Sequence, residues 1–174
     1  RDDLLVGFKW IAAAIDEGGP NDFIYGTEES HGFMIGDYCR DKDGAAACML
    51  LCELADDLKQ QGKTLHDFLD SLYRQFGVYQ ESLKTIDMHG SSGMQRLQQV
   101  MDQLRSASPR ELGGQQVIRM RDYLTHQITT AAGSVTGFSG PTDNLLFFEL
   151  ATVGHYVAVR PSGTEPKIKF YTFT

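Results

Sequence analysis

The stretch His155-Tyr156-Val157-Ala158-Val159-Arg160-Pro161-Ser162-Gly163-Thr164-Glu165-Pro166-Lys167-Ile168-Lys169-Phe170-Tyr171-Thr172-Phe173 decides the class of the C-terminal part. Its ends, His155 to Val159 and Ile168 to Phe173, are apolar, β-prone runs that read as strands. Between them lies a polar loop with two prolines, two hydroxyls and a glycine. Pro, Ser and Gly favour plain turns for local reasons, which is one account of the loop. The other is an oxyanion cradle. Arg160 supplies a planar fork that matches two phosphate oxygens, Ser162 and Thr164 supply hydroxyls, and Gly163 permits close backbone approach. Lys167 adds fixed charge at the far end, and the prolines hold the loop in shape. A nucleotide P-loop is excluded, because no glycine-rich loop ending in Gly-Lys-Ser/Thr occurs.

Outward from this hairpin, Leu145 to Leu150, Val117 to Tyr123 and Val78 to Ile86 read as further strands, and Ala131 to Asn144 as a Gly/Ser/Thr-rich loop. Met94, Leu97, Met101 and Leu104 recur at helical spacing, with Ser91 or Ser92 as cap and Ser106 to Pro109 as stop. The N-terminal part is richer in helix. Asp43 caps a helix to Gln61 whose apolar run, Ala45 to Ala55, predicts extensive burial, with Cys48 and Cys52 as small core residues on one face. Thr64 and Asp67 form a capping pattern ahead of Leu65, Phe68, Leu69, Leu72, Tyr73 and Phe76, and Gly77 ends that helix. Trp10 to Ile15 reads as a helical patch stopped by Gly18-Gly19-Pro20. Phe23-Ile24-Tyr25 reads as a buried strand, and Phe33 to Ile35 as another short apolar run. Helices first and strands second predict two units joined near residues 62 to 77.

Composition narrows the function classes. The 174 residues include 16 Lys plus Arg and 23 Asp plus Glu, for a formal charge of −7, with 41% hydrophobic and 22% charged residues. These are globular proportions, and an acidic chain without a basic run is not a general nucleic-acid binder. An anionic small molecule needs only a local basic pocket. The three cysteines, Cys39, Cys48 and Cys52, make no CxxC or zinc pattern and fit a reducing, cytoplasmic setting. The longest strictly apolar stretch, Ala45 to Cys52, falls far short of the roughly 20 residues that span a bilayer, so no membrane partner is expected. The chain opens on Arg1 rather than Met, and is expected to be a piece of a longer protein.

A second candidate site is Gly26-Thr27-Glu28-Glu29-Ser30-His31-Gly32, a polar loop after a predicted strand. Carboxylates and a hydroxyl at a strand end suit recognition of sugar hydroxyls, since a carboxylate accepts two hydrogen bonds with defined geometry. Glu28 and Glu29 are adjacent and point opposite ways on extended chain, which argues against a catalytic dyad. A solvated acidic loop with His31 on the surface is the plainer alternative. Lys9, between Phe8 and Trp10, is either a surface charge or a ligand-facing one. Asp41-Lys42-Asp43-Gly44 lacks the distal ligands of a calcium loop and reads as capping.

Five segments in order resemble the C-terminal half of the α-D-phosphohexomutases, the phosphoglucomutase and phosphomannomutase family. They are Gly7-Phe8-Lys9-Trp10-Ile11, Gly26 to Gly32, Asp41 to Gly44, Asn144-Leu145-Leu146-Phe147-Phe148, and Arg160 to Tyr171. The resemblance implies α/β and α+β architecture: a partial domain 3 of mixed α/β sheet with helices, then a domain 4 of sheet with helices on one side. Residues 1–62 would be the C-terminal part of the sugar-binding domain 3, 63–77 a connecting helix, and 78–174 the phosphate-binding domain 4, incomplete at its C-terminal end. Sugar binding would fall to Glu28 and Ser30, with Lys9 facing the ligand and His31 lining the site. Phosphate binding would fall to Arg160, Ser162, Gly163, Thr164 and Lys167.

The family reaction implied is transfer of a phosphoryl group between carbon 1 and carbon 6 of a hexose phosphate through a bisphosphate, glucose 1,6-bisphosphate for glucose. The family's phosphoserine segment and its Asp-Gly-Asp-x-Asp-Arg magnesium loop are absent from these 174 residues. Catalytic residues and Mg2+ ligands are therefore expected in domains 1 and 2 of the same protein, and this chain alone is expected to be inactive. Glucose and mannose phosphates both remain open as substrates, and Ser30 favours a hexose. The alternatives are a phosphopentomutase-type member, a non-catalytic sugar-phosphate module, or a structural domain without ligand.

Overall fold

Asp43 opens the longest helix as its side chain dictates. Its Oδ1 accepts the N–H groups of Ala45 and Ala46 at 3.0 and 3.1 Å, and the helix runs over Gly44–Gln60. In the computed structural model, which describes residues 4–28, 32–36, 38–90, 92–163 and 165–174, the chain forms two units, Arg1–Gly77 and Val78–Thr174.

The first unit is built from α1 (Phe8–Gly18), a 3-10 turn (Pro20–Asp22), β1 (Tyr25–Glu28), β2 (Gly32–Ile35), α2 (Gly44–Gln60) and α3 (Leu65–Phe76). Buried Phe8 and Ile15 of α1 meet Met34 of β2, with Ile11 and Phe23 packed around them. β1 and β2 pair antiparallel, Glu28 opposite Gly32. At α3, Thr64 and Asp67 form the reciprocal capping box that the sequence predicts, and Gly77 follows at φ 94°. Only a glycine takes that conformation without strain.

Two expectations fail here for one reason. Ile24 is 82% exposed and lies outside β1, and α2 buries only Leu58 while Cys48, Met49, Leu50, Leu51 and Cys52 are exposed. A ribbon of two four-residue strands offers too little surface to cover a 17-residue helix on more than one side. The apolar composition of Ala45 to Ala55 is real, but among the described residues most of it is left uncovered.

The second unit is an antiparallel sheet with one helix, α4 (Gly93–Ser106), on one face. Its strands are β3 (Glu81–Asp87), β4 (Glu111–Leu112), β5 (Gln115–Asp122), β6 (Gln127–Thr130), β7 (Val135–Gly137), β8 (Leu146–Leu150), β9 (Tyr156–Pro161) and β10 (Lys167–Phe173). The order across the sheet is β3-β10-β9-β8-β5-β6-β7, with β4 paired to β5. Alternation sends Leu146, Phe148, Val159 and Ile168 to the α4 side, where they bury against Met101 with Val117, Met120 and Leu150. The opposite face carries a stack of Phe147, Tyr156 and Phe173, ring centroids 4.3 Å apart at each step.

β3 begins at Glu81, later than the predicted Val78, although Gln80 and Thr174 exchange two backbone hydrogen bonds just beyond it. β7 lies inside the stretch read as loop; its three residues are exposed at the sheet edge and so carry no burial pattern. Ser92 is the N-cap of α4 but makes no side-chain capping bond, while Ser91 lies outside the described residues.

Candidate functional site

The candidate phosphate loop is the turn of the β9–β10 hairpin. Register fixes its geometry: Arg160 pairs with Lys169, and Pro161 with Ile168. The Ser162 N–H then donates to the Lys167 carbonyl at 2.8 Å, which continues the ladder one step. Because Ile168 points into the α4 core, Arg160, Lys167 and Lys169 lie on the other face. Three cations thus share one side of one hairpin. Ser162 is half-buried beside them, and a Cβ added at the exposed Gly163 would meet no atom within 4 Å. Thr164 lies outside the described residues. The Ser162 amide, being spent on the ladder, is not among the donors left for an anion.

Carboxylates pair with two of these cations. Arg160 Nε lies 3.3 Å from Asp143 Oδ2, and Lys167 pairs with Glu165. The hydrogen bond from Lys167 to Glu165, followed by the charges of Glu165 and of Asp87 across the ladder, holds the lysine above its ordinary value of 10.5. The loop is braced from α4 as well. A Cβ on Gly93 would stand 1.9 Å from the Met88 carbonyl oxygen and 3.0 Å from Pro166 Cβ, and the Met88 N–H donates to the Pro166 carbonyl at 2.7 Å. The absence of a side chain at Gly93 is what lets the first turn of α4 approach the loop, and a helix N-terminus favours negative charge.

In the first unit, Glu28 ends β1 and its Oε2 accepts the Gly7 N–H at 3.0 Å. That contact joins the candidate sugar loop to the residue that opens α1, two positions before Lys9. Lys9 is exposed, with Nζ 5.1 Å from the centroid of the Trp10 ring. Ser30 and His31, like Glu29, lie outside the described residues. Thr27 Oγ1 donates to the Gly32 carbonyl at 3.0 Å, between β1 and β2. Gly32 is needed for close approach: a Cβ there would stand 2.2 Å from Phe8 Cε2 and 3.1 Å from Lys42 Cγ.

That crowding brings in a cation that the sequence reading used only as part of a motif. Lys42 lies 5.4 Å over the Phe8 ring and 2.9 Å from Asp41 Oδ1. Its ammonium is raised above the usual lysine value by the hydrogen bond to Asp41 and by that charge, with a smaller contribution from Glu28. The sequence motifs do not single out Lys169 or Asp143 either. Spacing points to Lys169, two residues from Lys167 on a strand, whereas nothing local in the sequence marks Asp143. Among the described residues no group of three or more His, Cys, Asp or Glu is arranged to hold a metal ion. Asp43 is committed to capping α2 and Asp41 to Lys42. The described residues therefore do not fit a magnesium ion, and no described helix is long and apolar enough to cross a membrane.

Residues 3–76 match the model of the phosphoglucomutase/phosphomannomutase alpha/beta/alpha domain III. Over 171 residues, 97% of the chain, it is 36% identical to a phosphoglucomutase of Staphylococcus epidermidis. Residues 3–76 thus carry domain III of that family. A phosphoglucomutase of Staphylococcus aureus is 35% identical over 174 residues. The chain spans about a third, 31%, of the length of these curated relatives. Among solved structures, pp63/parafusin of Paramecium, an exocytosis-sensitive phosphoprotein and phosphoglucomutase in its open form, matches with a TM-score of 0.62. That match covers 97% of this chain and 28% of the other, and at 18% identity it speaks for the fold alone. The mixed architecture found here is that of the family's C-terminal domains.

Proposed function

We propose that this chain is part of a phosphohexomutase and grips substrate for a reaction that moves a phosphoryl group between carbon 1 and carbon 6 of glucose or mannose through a bisphosphate. The observation that carries the reading is the hairpin face on which Arg160, Lys167 and Lys169 converge beside Ser162. A guanidinium fork, two ammonium groups and a hydroxyl suit a phosphate dianion. On this reading the hairpin holds the phosphate that is not reacting. Glu28 accepts hydrogen bonds from sugar hydroxyls, and the sequence assigns Ser30, His31 and Lys9 to the same task. Remote binding of this kind positions the substrate and makes no bond itself. Bound by residues outside this chain, magnesium would supply charge neutralisation at the phosphoryl group. The family's phosphoserine segment and magnesium loop do not occur in the 174-residue sequence, and the chain alone is expected not to interconvert glucose 1-phosphate and glucose 6-phosphate.

Calorimetric titration of the 174-residue chain with glucose 1,6-bisphosphate tests the reading. Arg160→Ala is expected to cost about ten- to hundredfold in affinity, the worth of one charge-assisted contact. An Arg160→Ala variant that binds as tightly as the parent overturns it.

A further inference from the structure

Asp143 divides its carboxylate between two tasks. Oδ1 accepts the N–H of Asn144 at 2.8 Å, and Oδ2 meets Arg160 Nε at 3.3 Å. The segment around it is anchored on both sides. The Leu145 N–H donates to the Asp143 carbonyl at 2.9 Å, and the Tyr123 N–H to the Leu145 carbonyl at 3.0 Å. Asn144 Oδ1 accepts from Arg105 Nη2, and Arg105 Nε lies 3.1 Å from Oδ2 of Asp122, which is buried. The corner that carries Asp143 is thereby tied to α4 and to β5. Arg160 and Asp143 are 32% and 29% exposed, which removes part of the solvent screening that weakens fully exposed pairs.

We propose that Asp143 is a positioning residue for the phosphate site, an inference that rests on the phosphate reading of the hairpin given above. Asp143 engages Arg160 through Nε and leaves Nη1 and Nη2, which bear four of the guanidinium's five N–H donors, to the anion. Two effects of the carboxylate oppose each other. It subtracts one charge from the cradle, and it fixes a long side chain before the ligand arrives, so that less freedom is lost on binding. The second effect prevails here because Oδ1 is held by the backbone. Asp143 cannot swing with Arg160, and the guanidinium is oriented against a fixed point. Lys167 and Lys169 keep the face attractive to a dianion.

Titration with glucose 1,6-bisphosphate on four chains decides the matter: parent, Asp143→Ala, Arg160→Ala and the double variant. Asp143→Ala is expected to weaken binding about tenfold, roughly the lower end of what one charge-assisted contact is worth. In the Arg160→Ala background the same change is expected to cost nothing further, whereas a role limited to folding would weaken both backgrounds and lower the urea midpoint. Asp143→Asn, which keeps an acceptor, is expected to restore part of the loss. If Asp143→Ala binds as tightly as the parent, or tighter, while Arg160→Ala still loses affinity, the positioning role is overturned and the phosphate site stands. If Arg160→Ala loses nothing, both fall.

Discussion

Lys169 stands directly opposite Arg160 in the β9–β10 ladder, on the face turned away from α4. Like charges on facing positions of a sheet repel, and the pair persists here with Asp143 drawing on Arg160 from the side. An anion placed between the two would relieve the repulsion further. Lys169→Ala is therefore expected to lower the affinity for glucose 1,6-bisphosphate by about tenfold, and Lys169→Arg to retain most of it. Titrations at low and high potassium chloride should show a shallower salt dependence in Lys169→Ala, because one cation has gone.

Gly93→Ala tests the brace between α4 and the loop. Alanine gains up to about 1 kcal/mol in helix propensity. Against this, its Cβ would stand 1.9 Å from the Met88 carbonyl oxygen, a backbone atom that cannot turn aside. The clash should win, with a net loss of about 1–3 kcal/mol in the urea transition of the second unit. A midpoint unchanged from the parent would refute the close packing.

Gly32→Ala makes the corresponding test in the first unit. The added methyl meets Phe8 Cε2 at 2.2 Å and Lys42 Cγ at 3.1 Å. Phe8 is buried and cannot yield without disturbing Ile15 and Met34, whereas the lysine stem can. A loss of about 1–3 kcal/mol is expected, and combining it with Phe8→Leu should return part of that loss. Unfolding followed by Trp10 fluorescence reads it, since Trp10 lies on the same helix.

Glu149 makes the second unit sensitive to acid. Burial pushes its carboxyl up, but hydrogen bonds from Arg119 and Arg121 outweigh that and hold it below the ordinary value of 4.5. The stabilisation is thus complete above the unfolded value and is lost as pH falls through the lower, folded one. Unfolding free energy should decline from about pH 4.5 downward. Glu149→Gln should be less stable than the parent at pH 7 and show a smaller decline in acid; an equal slope in both chains would remove Glu149 as the cause.

The sequence made much of this legible wherever local chemistry decides the outcome. Asp43, Thr64, Asp67 and Gly77 mark helix ends through their own hydrogen bonds or backbone freedom, and the helices begin and end beside them. Arg160 to Lys167 announces a loop between strands, and the β9–β10 pairing follows. Burial was harder to read. The apolar run of α2 cannot say which neighbour covers it, and here most of it is exposed. β7 went unread because exposed edge residues have no periodicity to detect. Asp143 was invisible for another reason: its partner Arg160 is brought to it only by the pairing of β8 with β9.

That pairing has a wider consequence. β9 and β10 are interior strands, held by β8 on one side and β3 on the other. A ligand bound at their turn is thermodynamically linked to folding of the whole sheet, with a stabilisation that grows as the logarithm of its concentration above Kd. Occupancy at one hairpin tip would therefore also measure the cohesion of strands that never touch the ligand.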